Sequence, residues 1–133
     1  MSAPLTLLAG ALAALATAGM HYLGVAPLGR VRPQYRIHWW WDALAHALGG
    51  FAVAVAALTV FSYASAGPLL AVATVATVLV VGLAWEVYEL VFWGEAEKVS
   101  DLLYREDTTL DIVLELNATY ALLLIHQYVP LTP

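Results

Sequence analysis

The chain has 133 residues, of which 62% are hydrophobic and 11% charged, against about 45–50% and about 25% in soluble domains. So few polar groups cannot cover a water-soluble globule, and so apolar a chain has too much to bury to remain disordered. Five Lys+Arg against ten Asp+Glu give a formal charge of −5, which argues against nucleic acid as a partner and leaves an integral membrane protein.

A spanning helix needs roughly 20 mostly apolar residues. The first such stretch is 3–23, with no Asp, Glu, Lys or Arg from Met1 to Gly29. A cleaved signal peptide is its rival reading, with Ala16-Thr17-Ala18 as a small-residue cleavage site. The charged region that should precede the apolar run is missing, because the first basic residue is Arg30. Pro27, Gly29 and Pro33 separate this stretch from the second, at 39–63, and Gly67-Pro68 separates the second from the third, at 69–93. Residues 94–106 are the longest polar stretch, in which Val99, Leu102 and Leu103 suggest one interfacial helical turn. The fourth apolar stretch is 108–129. The expectation is an all-α integral membrane four-helix bundle, with 1–133 as one transmembrane domain.

Arg30, Arg32 and Arg36 lie between the first two stretches, and Lys98 and Arg105 between the last two. The remaining connection and the termini carry no Lys or Arg. Loops 24–38 and 94–107 are therefore expected on the cytoplasmic side and both termini outside. Trp39, Trp40, Trp41, Trp85, Tyr88, Phe92 and Trp93 fit an aromatic belt at that same boundary. Gly10, Ala14 and Ala18 on the first stretch, and Ala45, Gly49 and Val53 on the second, form stripes that allow close helix approach.

Half of the ten acidic residues fall inside the apolar stretches, and Asp107 stands at the edge of one. Asp42 precedes His46 by four residues, Glu86 and Glu89 are three apart, and Asp107, Asp111 and Glu115 follow at intervals of four. Each group therefore shares one helical face. The second and fourth stretches leave the cytoplasmic boundary and the third returns to it. At about 1.5 Å per residue, Asp42 and Asp111 lie ~5 Å in, Glu89 ~6 Å, and His46 and Glu86 ~10 Å. Five side chains distant in sequence are thus expected to face one polar cavity.

An acid at the bilayer centre costs about 2.5–3.5 kcal/mol, and less near the interface. No Lys or Arg lies within any stretch to offset this. The offset must come from protons, His46, the loop arginines or a cation. With no cysteine in the chain, thiolate ligation is excluded. Carboxylates plus one imidazole suit a divalent ion such as Mg²⁺, Mn²⁺, Zn²⁺ or Fe²⁺. The candidate metal ligands are Asp42, His46, Glu86, Glu89 and Asp111, with Glu86, Asp42 and His46 as candidate catalytic groups. Arg30, Arg32 and Arg36 are candidates for holding anionic lipid headgroups.

Several of these residues also have plain structural roles. Asp42 suits a first helical turn, Asp107 an N-cap and Asp111 a helix N-terminus. Glu115 suits an interhelical hydrogen bond. Glu86 and Glu89 lie near a helix C-terminus, where the dipole opposes an anion, so a structural role fits them least. His21 lies near enough the same boundary to reach the cluster. Asn117-Ala-Thr119 matches a glycosylation sequon but falls inside an apolar stretch, so it is not read as one.

The strings WWDALAHALGG, AWEVYELVFW and EDTTLDIVLELNA carry Asp42-x-x-x-His46, Glu86-x-x-Glu89 and Asp107-Thr-x-x-Asp111. Together they resemble small membrane proteins of the YjdF-like group and, more loosely, the VanZ-like family. The VanZ-like pattern has Gln where Glu89 stands and Asn where Glu115 stands, which favours the YjdF-like likeness. The resemblance implies a multispanning bundle with a polar site. The expected location is the cell membrane of a prokaryote.

Three functions fit. A divalent-metal enzyme would act on a lipid or lipid-linked substrate. A transport module would pass protons or a cation, with a homo-oligomer building the path. An accessory subunit would pair its acids with a partner's basic residues. The orientation is directly testable: reporters fused after Ser65 and at Pro133 should both report the external side, and a cytoplasmic signal from either reverses the topology.

Overall fold

The computed structural model describes residues 3–24, 39–63, 67–92 and 102–128, which form four α-helices. These are α1 (Ala3–Gly24), α2 (Trp39–Ser62), α3 (Pro68–Phe92) and α4 (Leu102–Tyr128). Three stretches, Trp40–Ser62, Pro68–Glu89 and Thr108–Tyr128, are long and apolar enough to cross a membrane. In α1 the corresponding apolar stretch is the shorter Thr6–Tyr22, although the whole helix of 22 residues reaches about 33 Å at 1.5 Å per residue.

The bundle is apolar outside. Leu12, Leu15, Val60, Val72, Val80, Leu83, Val91 and Ile125 are all exposed. Among the described residues, nine hydrophobic and seven polar or charged side chains are buried. An interior this polar beneath so apolar a surface suits hydrocarbon as the surrounding solvent and water poorly. Two buried hydroxyls are satisfied along their own helices: Thr74 Oγ1 donates to the Leu70 carbonyl at 2.9 Å and Thr119 Oγ1 to the Glu115 carbonyl at 2.8 Å.

Helix α2 is the hub, packing against α1, α3 and α4, while α3 also packs on α4. The hydrophobic core gathers Ala54, Val55 and Leu58 of α2 with Leu70 and Val78 of α3 and Leu122 of α4. Gly67 turns α2 into α3 with a φ of +63°, a conformation that glycine adopts without steric cost. Pro68 then opens α3, where its missing N–H and fixed φ suit the first helical position. On the α1 side, Gly10 is buried against Val55, and Thr17 Oγ1 reaches the Ala45 carbonyl at 3.4 Å. The stripe on α1 is split. Gly10 serves the close approach to α2, whereas Ala14 and Ala18 line a cavity.

The last apolar stretch begins at Thr108 as expected, but the helix that carries it starts earlier, which corrects the N-cap reading of Asp107. Helix α4 begins at Leu102, six residues before the apolar stretch. No Pro or Gly stands between Ser100 and Thr108, so nothing breaks the helix as it leaves the apolar phase. Asp107 is therefore inside the helix and not its N-cap, and Asp111 is too far along it to serve the N-terminal dipole, which acts within the first turn.

A Cβ on Gly10 would lie 2.9 Å from Val55 Cβ, whereas Gly19 has nothing within 4 Å. Gly10→Leu should lower stability in detergent by about 1–3 kcal/mol through overpacking. Gly19→Ala should raise it by about 0.5–1 kcal/mol, the usual gain within a helix. Paired thermal melts of the two variants check this.

Candidate functional site

The first turns of α2, the last turns of α3 and the middle of α4 meet at one end of the bundle. Trp41 Nε1 of α2 donates to the Met20 carbonyl of α1 at 3.3 Å, and His21 packs edge-on against Trp85 with ring centroids 4.8 Å apart. Half-buried Trp41 and Trp85 thus serve helix contacts, while Trp40 and Tyr88 face outward as an aromatic belt requires.

His46 lies at the centre of this end and is 6% exposed. Its Nδ1 is 3.1 Å from Glu115 Oε1. In the tautomer that donates from Nδ1 to this carboxylate, Nε2 carries the lone pair. Around Nε2 stand Asp111 Oδ2 at 3.7 Å, Asp42 Oδ1 at 3.8 Å and Glu86 Oε1 at 4.0 Å. Glu86 is held through its other oxygen, which accepts from Thr108 Oγ1 at 2.8 Å. Its Oε1 is buried and has no hydrogen-bond partner among the described residues. Glu89 Oε1 accepts from Trp85 Nε1 at 2.7 Å, one turn earlier on the same helix.

The structure thus brings Asp42, His46, Glu86, Glu89 and Asp111 together. Their potential ligand atoms form two overlapping groups, Asp42–His46–Asp111 and His46–Glu86–Glu89, each lying within 4.8 Å of one another. Arg30, Arg32 and Arg36 lie outside the described residues. His21 does not join either group but lines the adjoining cavity.

Glu115 is the residue that sequence reasoning left outside the site. The expected interhelical hydrogen bond exists, and its partner is the site's own imidazole. Two glycines make room for it. A Cβ on Gly50 would lie 2.6 Å from Glu115 Cα, and a Cβ on Gly82 would fall on Glu115 Oε2. Glu115 is thus gripped between α2 and α3. The available signal was its spacing of four from Asp111 on the same helical face.

A family model described as "Predicted membrane protein (DUF2238)" matches residues 1–130. The chain belongs to this family. The YjdF-like resemblance is consistent with it, whereas the match lends nothing to the VanZ-like likeness. No curated protein and no solved structure matches the chain significantly. For this family member the membrane setting and the buried His/carboxylate group are therefore the facts on which function must rest.

Gly82→Ala tests the grip on Glu115. Ala within a helix normally gains about 0.5–1 kcal/mol over Gly. Here the methyl would displace the Glu115 carboxylate, so a net loss of about 1–3 kcal/mol is expected. A melt in the same detergent as wild type measures it.

Proposed function

We propose that the protein is a membrane-embedded, divalent-metal-dependent enzyme acting on a lipid or lipid-linked substrate. Asp42, His46, Glu86, Glu89 and Asp111 supply the ligands, with Mg²⁺, Mn²⁺, Zn²⁺ or Fe²⁺ as the ion class. The observation that carries this reading is the environment of His46. Glu115 occupies one ring nitrogen, and three carboxylate oxygens stand 3.7–4.0 Å from the other. That separation exceeds a hydrogen bond of about 2.7–3.2 Å. Two ligands on one tetrahedral ion at about 2.1 Å are roughly 3.4 Å apart, and wider ligand angles increase this. The carboxylate–imidazole pairing is also the usual way to orient a metal-binding histidine.

Glu86 Oε1 supports the same reading. A buried acceptor without a partner costs about 1–3 kcal/mol, and a cation would remove that cost. A neutral, ligating imidazole offsets none of the five surrounding carboxylate charges, whereas a divalent ion would offset two. Such an ion supplies Lewis acidity toward a phosphoryl or acyl oxygen and a water made acidic enough to attack it. Asp42 or Glu86 would accept the proton of that water, and Glu115 would keep Nε2 available as a ligand.

The site faces the cytoplasmic side if the arginine-rich connection 24–38 lies there. Arg30, Arg32 and Arg36 would then lie within reach of an anionic headgroup. The cell membrane of a prokaryote is the proposed setting. The transport reading has less support, because the acidic side chains described in α2, α3 and α4 gather toward one end and provide no matching exit.

Elemental analysis of protein purified in mild detergent without chelator tests this. Wild type should hold divalent metal near one equivalent, and Glu86→Gln should lower affinity by more than about ten-fold, since even outer-shell changes cost that much. Asn117→Ala, an exposed position on α4, should keep the metal. A metal-free wild type, or a Glu86→Gln variant that melts higher with function intact, would mean that Glu86 is structural.

A further inference from the structure

The apolar space beside the acids has no role in holding an ion. Helix α1 packs chiefly on α2, and its described contact with α3 is the edge of His21 on Trp85. Between α1 and α3 lies a cavity of about 540 Å³, within the usual range for ligand pockets of about 300–1,000 Å³. Its floor is α2, from Asp42 to Val53, about 16 Å at 1.5 Å per residue. That is close to half of the ~30 Å hydrocarbon thickness, the depth of one leaflet.

The two ends of the cavity differ in chemistry. Asp42, His46, Glu89 and Glu115 line one end, and Ala14, Ala52, Val53 and Val78 line the other. Ala14, Ala18 and Val81 line the cavity and are also exposed at the bundle surface, so it opens sideways where lipid surrounds the protein. We propose that this cavity seats one hydrocarbon chain of an amphiphilic substrate, admitted laterally from the bilayer, with its polar head at the Asp42–His46 end. This deepens the enzyme reading above and rests on it for the role of the head.

The lining selects the occupant. An amphiphile offers an apolar chain to the end walled by Ala14, Val53 and Val78 and a polar head to the end walled by Asp42 and His46. Small walls keep the slot open. Ala14, Ala18, Ala45, Gly49 and Ala52 present little or no side chain to it.

The test uses phosphatidylcholine vesicles containing a phosphatidic acid with a photoactivatable diazirine in one acyl chain. The full-length protein is irradiated in them and its adducts are mapped by mass spectrometry. Adducts should concentrate on Ala14, Val53, Val78 and Val81. They should fall several-fold in Ala18→Phe, which adds bulk at an exposed cavity wall, and again in Val81→Trp on the opposite wall. Labelling of outward positions such as Leu12 and Leu83 should not change. Uniform labelling over the outer surface, or cavity labelling untouched by both variants, overturns the proposal. So does an unlabelled cavity accompanied by a cross-linked dimer. Metal analysis of the same samples separates the two readings. Cavity adducts on a metal-free protein leave the chain site standing and remove the enzyme reading, whereas metal without cavity adducts does the reverse.

Discussion

Placing carboxylates inside an apolar bundle is the constraint around which this structure is arranged. Each acid needs a donor or a cation, and α2, α3 and α4 supply those partners mostly across helix boundaries. Glu115 of α4 meets His46 of α2, and Thr108 of α4 meets Glu86 of α3. Asp42 and Asp111 approach the same imidazole from α2 and α4. Since lipid surrounds the outer face, apolar burial contributes little to holding these helices together, and polar contacts and close packing must serve instead. The charged end therefore acts as both site and fastener.

Close packing is what allows those polar contacts. Glycine costs about 0.5–1 kcal/mol within a helix relative to alanine, yet Gly50 and Gly82 stand where the backbone and carboxylate of Glu115 press against α2 and α3. Without that approach the carboxylate could not reach Nδ1 at 3.1 Å. Gly10 against Val55 does the same for α1. On the other side of α1 the helices stand apart, and the cavity is the space left between them.

Much of this was legible in the residues. Long apolar runs announce helices, and acids at intervals of three and four announce faces. Alternating chain direction at matched depth brings Asp42, His46, Glu86, Glu89 and Asp111 to one level. The partner of Glu115 was not legible, because spacing gives the face of one helix and says nothing of which neighbour it meets. Asp107 reads as an N-cap in the sequence because hydropathy marks where a helix enters hydrocarbon, not where it begins. Gly10, Ala14 and Ala18 share a stripe in the sequence, but only packing decides that the first contacts Val55 while the others line a cavity. The roles of Arg30, Arg32 and Arg36 fall outside the described residues.

The position of α2 at the hub has a consequence for biosynthesis. Synthesis runs from α1 to α4, and α1 finds its main packing partner as soon as α2 emerges. Asp42 and His46 enter the membrane with α2, but Asp111 and Glu115 arrive only with α4. Until the ribosome has made that last helix, the nascent protein carries an imidazole and carboxylates whose partners do not yet exist. Such an intermediate is better sheltered in the polar interior of a translocon than released into lipid. Stable integration of α2 is thus coupled to the arrival of α4, and premature termination before α4 would leave a product fit for quality-control proteolysis.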